Sequence, residues 1–302
     1  MRKVLKWVGI AVAGLVALAI VVAAGIYWQG GREAGRTVTV AFQPIPIPTD
    51  SASLARGQHL AASITKCVHC HGENLGGTQM INGMPFMNLW APNITSGAGG
   101  LGGQLSDADW ERAIRYGVGP TGRRLVIMPA DAYVYLSDAD LADVIAYLKS
   151  VPPVAGARPA PQFGPIARML LATGTFPLYT YDQIDVSRRT IPPAPAYGDT
   201  LALGRYLTHV GGCISCHGPN LAGGPIPGMP PGTKPAANLT PTGIGQFTEA
   251  DFVRVLREGT GPGGVPIDTL MPWKLSGTMT DPEIHAVWTY IRSVPPAAFG
   301  AR

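Results

Sequence analysis

Hydrophobic positions along the 302-residue chain fall into one long apolar run and several shorter amphipathic stretches. The long run, residues 7–31, contains no charged residue and is long enough to cross a bilayer as a helix. Farther along, Leu141, Val144, Ile145 and Leu148 recur at helical spacing. Since no run shows sustained alternation of apolar and polar residues, we predict a mainly α-helical chain.

Short capping patterns predict where further helices begin. Each places Ser or Thr three residues before Asp or Glu, an arrangement typical of a helix N-terminus. The patterns start at Ser106, Ser137, Thr248 and Thr280. Proline pairs at 152–153 and 295–296 should end two of these helices, because proline interrupts helical hydrogen bonding.

The patterns recur because the chain is an internal duplication. Residues 91–119 (APNITSGAGGLGGQLSDADWERAIRYGVG) match residues 236–261 (AANLTPTGIGQFTEADFVRVLREGTG). Residues 127–154 match residues 270–297 in the same way. We therefore expect two tandem domains with one fold.

The repeats and the composition between them define five segments. They are an apolar N-terminal segment at 1–31, a linker at 32–50, a first domain at 51–155, a Pro-rich strap at 156–197 and a second domain at 198–302. The strap is too apolar for a free linker. We expect it to pack across both domains, with a short helix at 164–172; a plain flexible tether is the alternative.

Composition and charge narrow the class of protein. Hydrophobic residues make up 46% of the chain, so disorder is not expected, although 39 Gly and 29 Pro indicate many loops. The net charge of +4 comes from residues 1–50 and from the strap, while both domains are close to neutral. Neither domain therefore has the basic surface expected of a nucleic-acid-binding protein.

Each domain contains a C-x-x-C-H motif, CVHCH at 67–71 and CISCH at 213–217. This spacing is the attachment signature of c-type haem, in which two thiols bond to one porphyrin and the histidine meets the iron. All four cysteines of the chain lie in these motifs. A zinc or thioredoxin-like site would require other ligands or a lone redox pair. We therefore predict two covalent haem c groups on Cys67, Cys70, Cys213 and Cys216.

Each haem iron needs two axial ligands, and the motifs supply His71 and His217 as one of each pair. A thioether is the common second ligand in electron carriers. We expect Met128 and Met271, since each precedes proline and the last helix of its domain. The Met-Pro pairs at 84–85 and 229–230, or a histidine, are the alternatives.

Residues outside the motifs are expected to have structural roles. Aromatic side chains should line the haem clefts, namely Trp90, Tyr133, Tyr135 and Trp273. Asn93 and Asn238 lie in matching turns and should bond to backbone or to a haem propionate. The remaining histidines should pack or face solvent: His59, His69, His209 and His285.

The apolar segment at 1–31 indicates a membrane anchor. Arg2, Lys3 and Lys6 precede the apolar run, which favours a cytoplasmic N-terminus. The competing interpretation is a cleaved signal peptide, with small residues at 23–25 as the cleavage site. Both place the domains outside the bacterial cytoplasmic membrane, on the periplasmic side, where c-type haem is attached.

These motifs resemble class I cytochrome c domains. CVHCHGENLGG and MP…LSDADLADVIAYLKSVPPV are most similar to modules in the cytochrome subunits of bacterial membrane-bound alcohol and gluconate dehydrogenases. The resemblance covers about residues 51–155 and 198–302 and implies His/Met ligation by His71 with Met128 and His217 with Met271. The chain departs from those subunits in having two motifs where they carry three, and in its N-terminal anchor.

The resulting functional hypothesis is a membrane-anchored dihaem cytochrome that carries electrons. Its partners would be lipid, through the anchor, and proteins such as a quinone-linked complex, a dehydrogenase or an oxidase. An enzyme of the peroxidase or thiosulfate dehydrogenase type is one alternative, although it needs an open axial position on iron. A fixed subunit of a larger respiratory or photosynthetic complex is another.

Overall fold

The computed structural model describes residues 1–186, 192–230 and 232–301. The segment before the strap contains α1 (Arg2–Ala34), α2 (Ser51–His59), α3 (Cys67–His71), β1 (Gln79–Gly83), β2 (Met87–Trp90), α4 (Asp107–Tyr116), α5 (Ala130–Tyr133) and α6 (Asp138–Ser150). The strap adds β3 (Gln162–Phe163) and α7 (Pro165–Thr173). The second domain contains α8 (Thr200–Val210), α9 (Cys213–His217), α10 (Pro241–Ile244), α11 (Glu249–Glu258), α12 (Trp273–Ser276) and α13 (Asp281–Ser293). The predicted mainly α fold is confirmed.

Helix α1 contains the predicted apolar segment and continues three residues beyond it, to Ala34. Its most apolar window has a mean hydropathy of 2.6, and none of that window is buried. It is the one helix in the described part of the chain that is long and apolar enough to cross a membrane.

The first and last helices of each domain cross at a glycine. A side-chain Cβ at Gly57 of α2 would lie 1.9 Å from the Asp143 carbonyl oxygen of α6. A Cβ at Gly204 of α8 would likewise lie 1.9 Å from the Ala286 carbonyl oxygen of α13. The backbones can approach this closely only because both positions lack a side chain. The two domains thus repeat one helix crossing.

All four predicted helix N-termini are present. Ser106, Thr248 and Thr280 each form a reciprocal capping box with the acidic residue three positions later. Ser137 accepts the Asp140 amide hydrogen bond without the reciprocal one. The reason is that the Asp140 carboxylate is bonded elsewhere, to Arg56 and Tyr206.

A small antiparallel sheet was not expected from the sequence. Strand β2 pairs with β1 and with β3, in the order β1-β2-β3. The strands have five, four and two residues, too few to show a clear alternation of apolar and polar positions. Because β3 belongs to the strap, the sheet fastens the strap to the first domain.

The predicted strap helix is present as α7, shifted by one residue at each end. It packs closely on the end of α1, where a Cβ at Gly30 would lie 2.0 Å from the Arg168 carbonyl oxygen. Leu171 and Tyr179 of the strap join a buried cluster with Met87 of the first domain. Part of the strap, residues 187–191, lies outside the described residues.

The two domains share one continuous hydrophobic core. Helix α5 of the first domain contacts α8 and α9 of the second, and the helical turn after α2, Leu60–Ile64, contacts α12. Leu60 and Ile64 are buried together with Leu207 and Val210 in this core. The domains are therefore held together by direct packing.

Candidate functional site

The first C-x-x-C-H motif lines an apolar cavity of about 430 Å³, a volume within the range of ligand pockets. The predicted site residues Cys67, Cys70, His71 and Met128 all face it. They come from α3 and from the loop before α5, which are far apart in sequence. The structure therefore brings the first predicted ligand set together around one cavity.

Each motif forms a single helical turn between residues of left-handed backbone conformation. Lys66 (φ 53°) precedes α3 and Gly212 (φ 73°) precedes α9. Gly72 and Gly218 follow, with φ of 81° and 83°. In one helical turn, side chains three residues apart lie on the same face. The local fold thus presents both cysteines of each motif on one side.

Both motif histidines are oriented by a backbone carbonyl. The Nδ1–H of His71 donates to the Pro92 carbonyl oxygen at 2.8 Å, and that of His217 donates to the Ala237 carbonyl oxygen at 2.7 Å. Burial lowers the pKa of both imidazoles, partly opposed by these bonds. A neutral ring with Nδ1 engaged leaves Nε2 available to a metal.

The cysteines lie in an environment that disfavours thiolates. Burial raises the pKa of Cys67 and Cys213, and it raises the pKa of Cys70 to about 11. Neutral thiols are poor metal ligands and poor redox nucleophiles. In the described part of the chain, no group of three or more His, Cys, Asp or Glu side chains could hold a metal ion. The residues fit thioether attachment of a haem rather than a thiolate metal site.

Backbone contacts hold the Met128 loop. Ile127, directly before it, has a left-handed backbone (φ 58°), an unfavourable conformation for a β-branched residue. The Met128 carbonyl accepts hydrogen bonds from the Ala130 amide at 2.8 Å and from the Thr180 hydroxyl. Thr180 belongs to the strap, so the strap supports the loop that carries this methionine.

The rival methionines lie elsewhere. Met84 and Met229 are 55% and 39% exposed, and Met84 does not line the cavity. Met80, which was not among the predicted candidates, does line it. Its sulfur accepts a hydrogen bond from the Thr78 hydroxyl at 3.8 Å. The residue at the same distance from the second motif is Ile226. The duplication therefore provides no second methionine that would have drawn attention to Met80.

The second domain repeats the local structure around the predicted methionine. Met271 and Cys213 are partly buried and pack against the shared core. Pro272 is the N-cap of α12, as Pro129 is the N-cap of α5. Both predicted methionines thus lie at the start of a short helix that leads into the last helix of their domain.

Of the four predicted aromatic residues, two line the cavity, one lies at the boundary of the two domains and one packs within the second domain. Trp90 and Tyr133 line the cavity as predicted. Tyr135 instead lies edge-on to the His209 ring of the second domain, with centroids 5.0 Å apart. Trp273 packs on Gly259, where a Cβ would lie 2.3 Å from its ring.

Other polar residues make the backbone and surface contacts expected of structural groups. The Asn93 amide donates to the Val154 carbonyl at 2.7 Å, and the Asn238 amide donates to the Ala297 carbonyl at 2.8 Å. His69 is exposed, and His285 lies 2.7 Å from a Glu249 oxygen.

Two buried carboxylates join the domains, a feature that the sequence did not reveal. His59 Nε2 lies 2.8 Å from Glu283 Oε2, and the Tyr206 hydroxyl donates to Asp140 Oδ2 at 2.6 Å. In the duplication, His59 corresponds to Tyr206 and Asp140 to Glu283. Each domain therefore donates a hydrogen bond to a carboxylate on the last helix of the other domain.

Comparison with known proteins agrees with this geometry. The family model for cytochrome c matches residues 54–152 and 201–295. The fructose dehydrogenase cytochrome subunit of Gluconobacter japonicus is 28% identical over 85% of this chain and 55% of its own length. The alcohol dehydrogenase (quinone) cytochrome c subunit of Gluconacetobacter polyoxogenes is 27% identical over 82% of this chain and 57% of its own.

A shorter match covers one domain. The gluconate 2-dehydrogenase cytochrome c subunit of Pantoea cypripedii is 33% identical over 103 residues, which is 32% of this chain and 23% of that protein. The chain thus spans a little over half the length of the fructose and alcohol dehydrogenase subunits.

Proposed function

This chain belongs to the cytochrome c family, and we propose that it is a membrane-anchored electron carrier with two covalently attached haem c groups. One observation supports the proposal above the others. Cys67, Cys70, His71 and Met128 converge on one cavity, and the second domain repeats their sequence pattern and local fold. Bound haem iron would supply reversible one-electron chemistry.

In the first domain, two residues would attach the haem covalently and two others would bind its iron. Cys67 and Cys70 would bond to the porphyrin, while His71 presents a neutral Nε2 because its Nδ1–H is donated to Pro92. Met128 would supply the second ligand from a loop supported by Thr180. A thioether ligand raises the reduction potential.

The second domain would hold its group with the corresponding residues: Cys213 and Cys216 as the attachment points, His217 and Met271 as the ligands. His217 is oriented by Ala237 as His71 is by Pro92. With two ligands for each iron supplied by the chain, neither iron would bind substrate. This ligation favours a carrier over a peroxidase or thiosulfate dehydrogenase.

We infer that the anchor lies in the bacterial cytoplasmic membrane as a single pass, with both domains on the periplasmic side. Helix α1 has the length and hydropathy for this, and three basic residues precede its apolar part. Lipid is then one partner. The relatives are named as cytochrome subunits of dehydrogenases, which supports a membrane dehydrogenase or quinone-linked complex as electron donor.

The acceptor would be another periplasmic or membrane protein, such as an oxidase. Because both domains are close to neutral, we expect docking through small apolar patches rather than strong electrostatic steering. A protein that is a permanent subunit of a larger complex would use the same chemistry. The relatives, which are named as subunits, favour this case. Size analysis after extraction in mild detergent separates the two cases.

The axial ligands are tested by Met128→Ala and Met271→Ala in the full-length, haem-loaded protein. Each variant should lose the sulfur-to-iron absorption band of one haem and lower the potential of that haem, because a thioether ligand is removed. Spectroscopy with a redox titration measures both effects.

Matched controls are available in each domain. Met80→Ala removes another thioether from the same cavity, and Met229→Ala removes one that precedes proline; both should keep the band. Wild-type protein carrying fewer than two haems, or an iron that rapidly binds carbon monoxide, would contradict the carrier function.

A further inference from the structure

Lys66 joins the two attachment motifs. It directly precedes the first motif, and its ammonium donates to the Gly211 carbonyl oxygen at 2.9 Å and to the Ile64 carbonyl oxygen at 3.0 Å. Gly211 lies two residues before Cys213, the first cysteine of the second motif. One amine therefore bonds to backbone beside both attachment motifs.

The backbone at Lys66 is strained for a residue with a side chain. Its φ is 53°, and the corresponding residue of the second domain is Gly212, with φ 73°. Glycine adopts this left-handed conformation freely, whereas a side chain there is unfavourable. The first domain thus has a lysine where the same turn is built with glycine in the second. This difference points to a role for the side chain itself.

The charge of Lys66 has no acidic counterpart. Among the described residues, no carboxylate lies within 4.0 Å of its ammonium, and the acceptors are carbonyl oxygens. The side chain also lines the cavity of the first domain. Burial lowers the pKa of the Lys66 ammonium, while its two carbonyl acceptors favour the charged form. In surroundings of low dielectric, that charge acts on its neighbours over a longer range than one at the surface.

A carboxylate, with the opposite charge, makes a contact across the same domain boundary. Asp131 lies three residues after Met128, and its Oδ2 accepts a hydrogen bond from the Ser215 hydroxyl, inside the second motif, at 2.6 Å. Its Oδ1 is buried without a hydrogen-bond partner. Lys66 and Asp131 are therefore one positive and one negative group placed where the two sites meet.

We propose that Lys66 is a shared potential-setting residue, raising the reduction potentials of both haems, and that Asp131 lowers the potential of the second haem. This rests on the proposed function. Reduction of ferric iron removes one positive charge, so a nearby cation stabilises the reduced state and a nearby anion the oxidised state.

The test is a redox titration of the full-length, detergent-solubilised, haem-loaded protein. Lys66→Met keeps an apolar stem and removes the charge. At a fixed ambient potential it should lower the ratio of reduced to oxidised iron severalfold for both haems. Asp131→Asn should raise that ratio for the second haem. Lys149→Met is the control, since it makes the same charge change at an exposed ion pair with Asp107 and should shift neither potential.

The outcomes separate this inference from the proposed function. A Lys66→Met protein with two intact haems and two unchanged potentials overturns the inference, as does a shift confined to one haem. If Lys66→Met does not mature, Asp131→Asn decides, and an unchanged second potential overturns the inference. Failure of the proposed function appears instead in wild type, as a missing haem or a missing sulfur-to-iron band.

Discussion

Single side chains at the domain boundary have properties that their own domain does not explain. Glu283 is nearly completely buried, and burial opposes its ionisation. Hydrogen bonds from His59, the Thr280 amide and Tyr197 outweigh that effect and lower the pKa of Glu283 from 4.5 to about 2. Two of these donors, His59 and Tyr197, come from outside the second domain as the repeats define it.

The stability of the boundary should therefore depend on pH. Because the pKa of Glu283 is lower in the folded state, its carboxylate stabilises the fold above about pH 4.5, and that contribution is lost as the pH falls towards 2. Glu283→Gln should lower the free energy of unfolding by roughly 2 kcal/mol near neutral pH, allowing for solvent screening. Chemical denaturation across this pH range should show the difference from wild type shrinking with acid.

An exposed Glu–His contact provides the control for that measurement. Glu249→Gln removes the contact with His285 and should change the free energy of unfolding by less than about 1 kcal/mol at any pH. A difference between wild type and Glu283→Gln that does not vary between pH 4.5 and 2 would contradict the role given to this carboxylate.

At the scale of elements, two glycines decide how closely the helices approach. Gly57→Ala and Gly204→Ala would each bring a methyl group within 1.9 Å of a backbone oxygen. The helices would have to move apart, and overpacking of this kind costs about 1–3 kcal/mol. Thermal unfolding of the haem-loaded protein should show both variants melting at lower temperature than wild type.

Gly198→Ala is the matched control for the helix crossings. A Cβ at Gly198 meets no atom within 4 Å, so this variant should unfold within about 0.5 kcal/mol of wild type. Equal stability of Gly57→Ala and Gly198→Ala would show that the close crossing does not limit the first domain.

At the scale of the whole molecule, we expect the two domains to unfold as one cooperative unit, because they share a continuous hydrophobic core. Gly57→Ala lies in the first domain, but it should also speed amide hydrogen exchange in α13 of the second domain. The reason is that the amides of both domains exchange when the two domains open together. Mass spectrometry of peptides from each domain measures this. Faster exchange confined to the first domain would show that the domains unfold independently.

Much of this protein could be predicted from local spacing. The C-x-x-C-H motifs, the helix caps and the duplication are patterns of residues close in sequence, and covalent chemistry or one helical turn imposes their spacing. The mainly α fold, the N-terminal apolar helix and the strap helix follow from the same kind of signal. Met128 could be proposed because the duplication marks it twice, through Met271.

Other features depend on helices that are distant in the chain. The sequence predicted no partner for His59, Tyr206 or Lys66, because the residues that they contact are distant in the chain. Met80 has no repeat counterpart, and the three-stranded sheet is too short to leave a pattern.

By itself, the sequence determined the two C-x-x-C-H motifs, the repeated helices and the apolar N-terminal helix, since each is encoded in residues close together in the chain. Only the tertiary structure decided how the two domains face each other, and hence which charges lie between their sites. Those contacts arise when two copies of one domain bury a common apolar surface, and the packing of that surface selects the polar groups that meet across it.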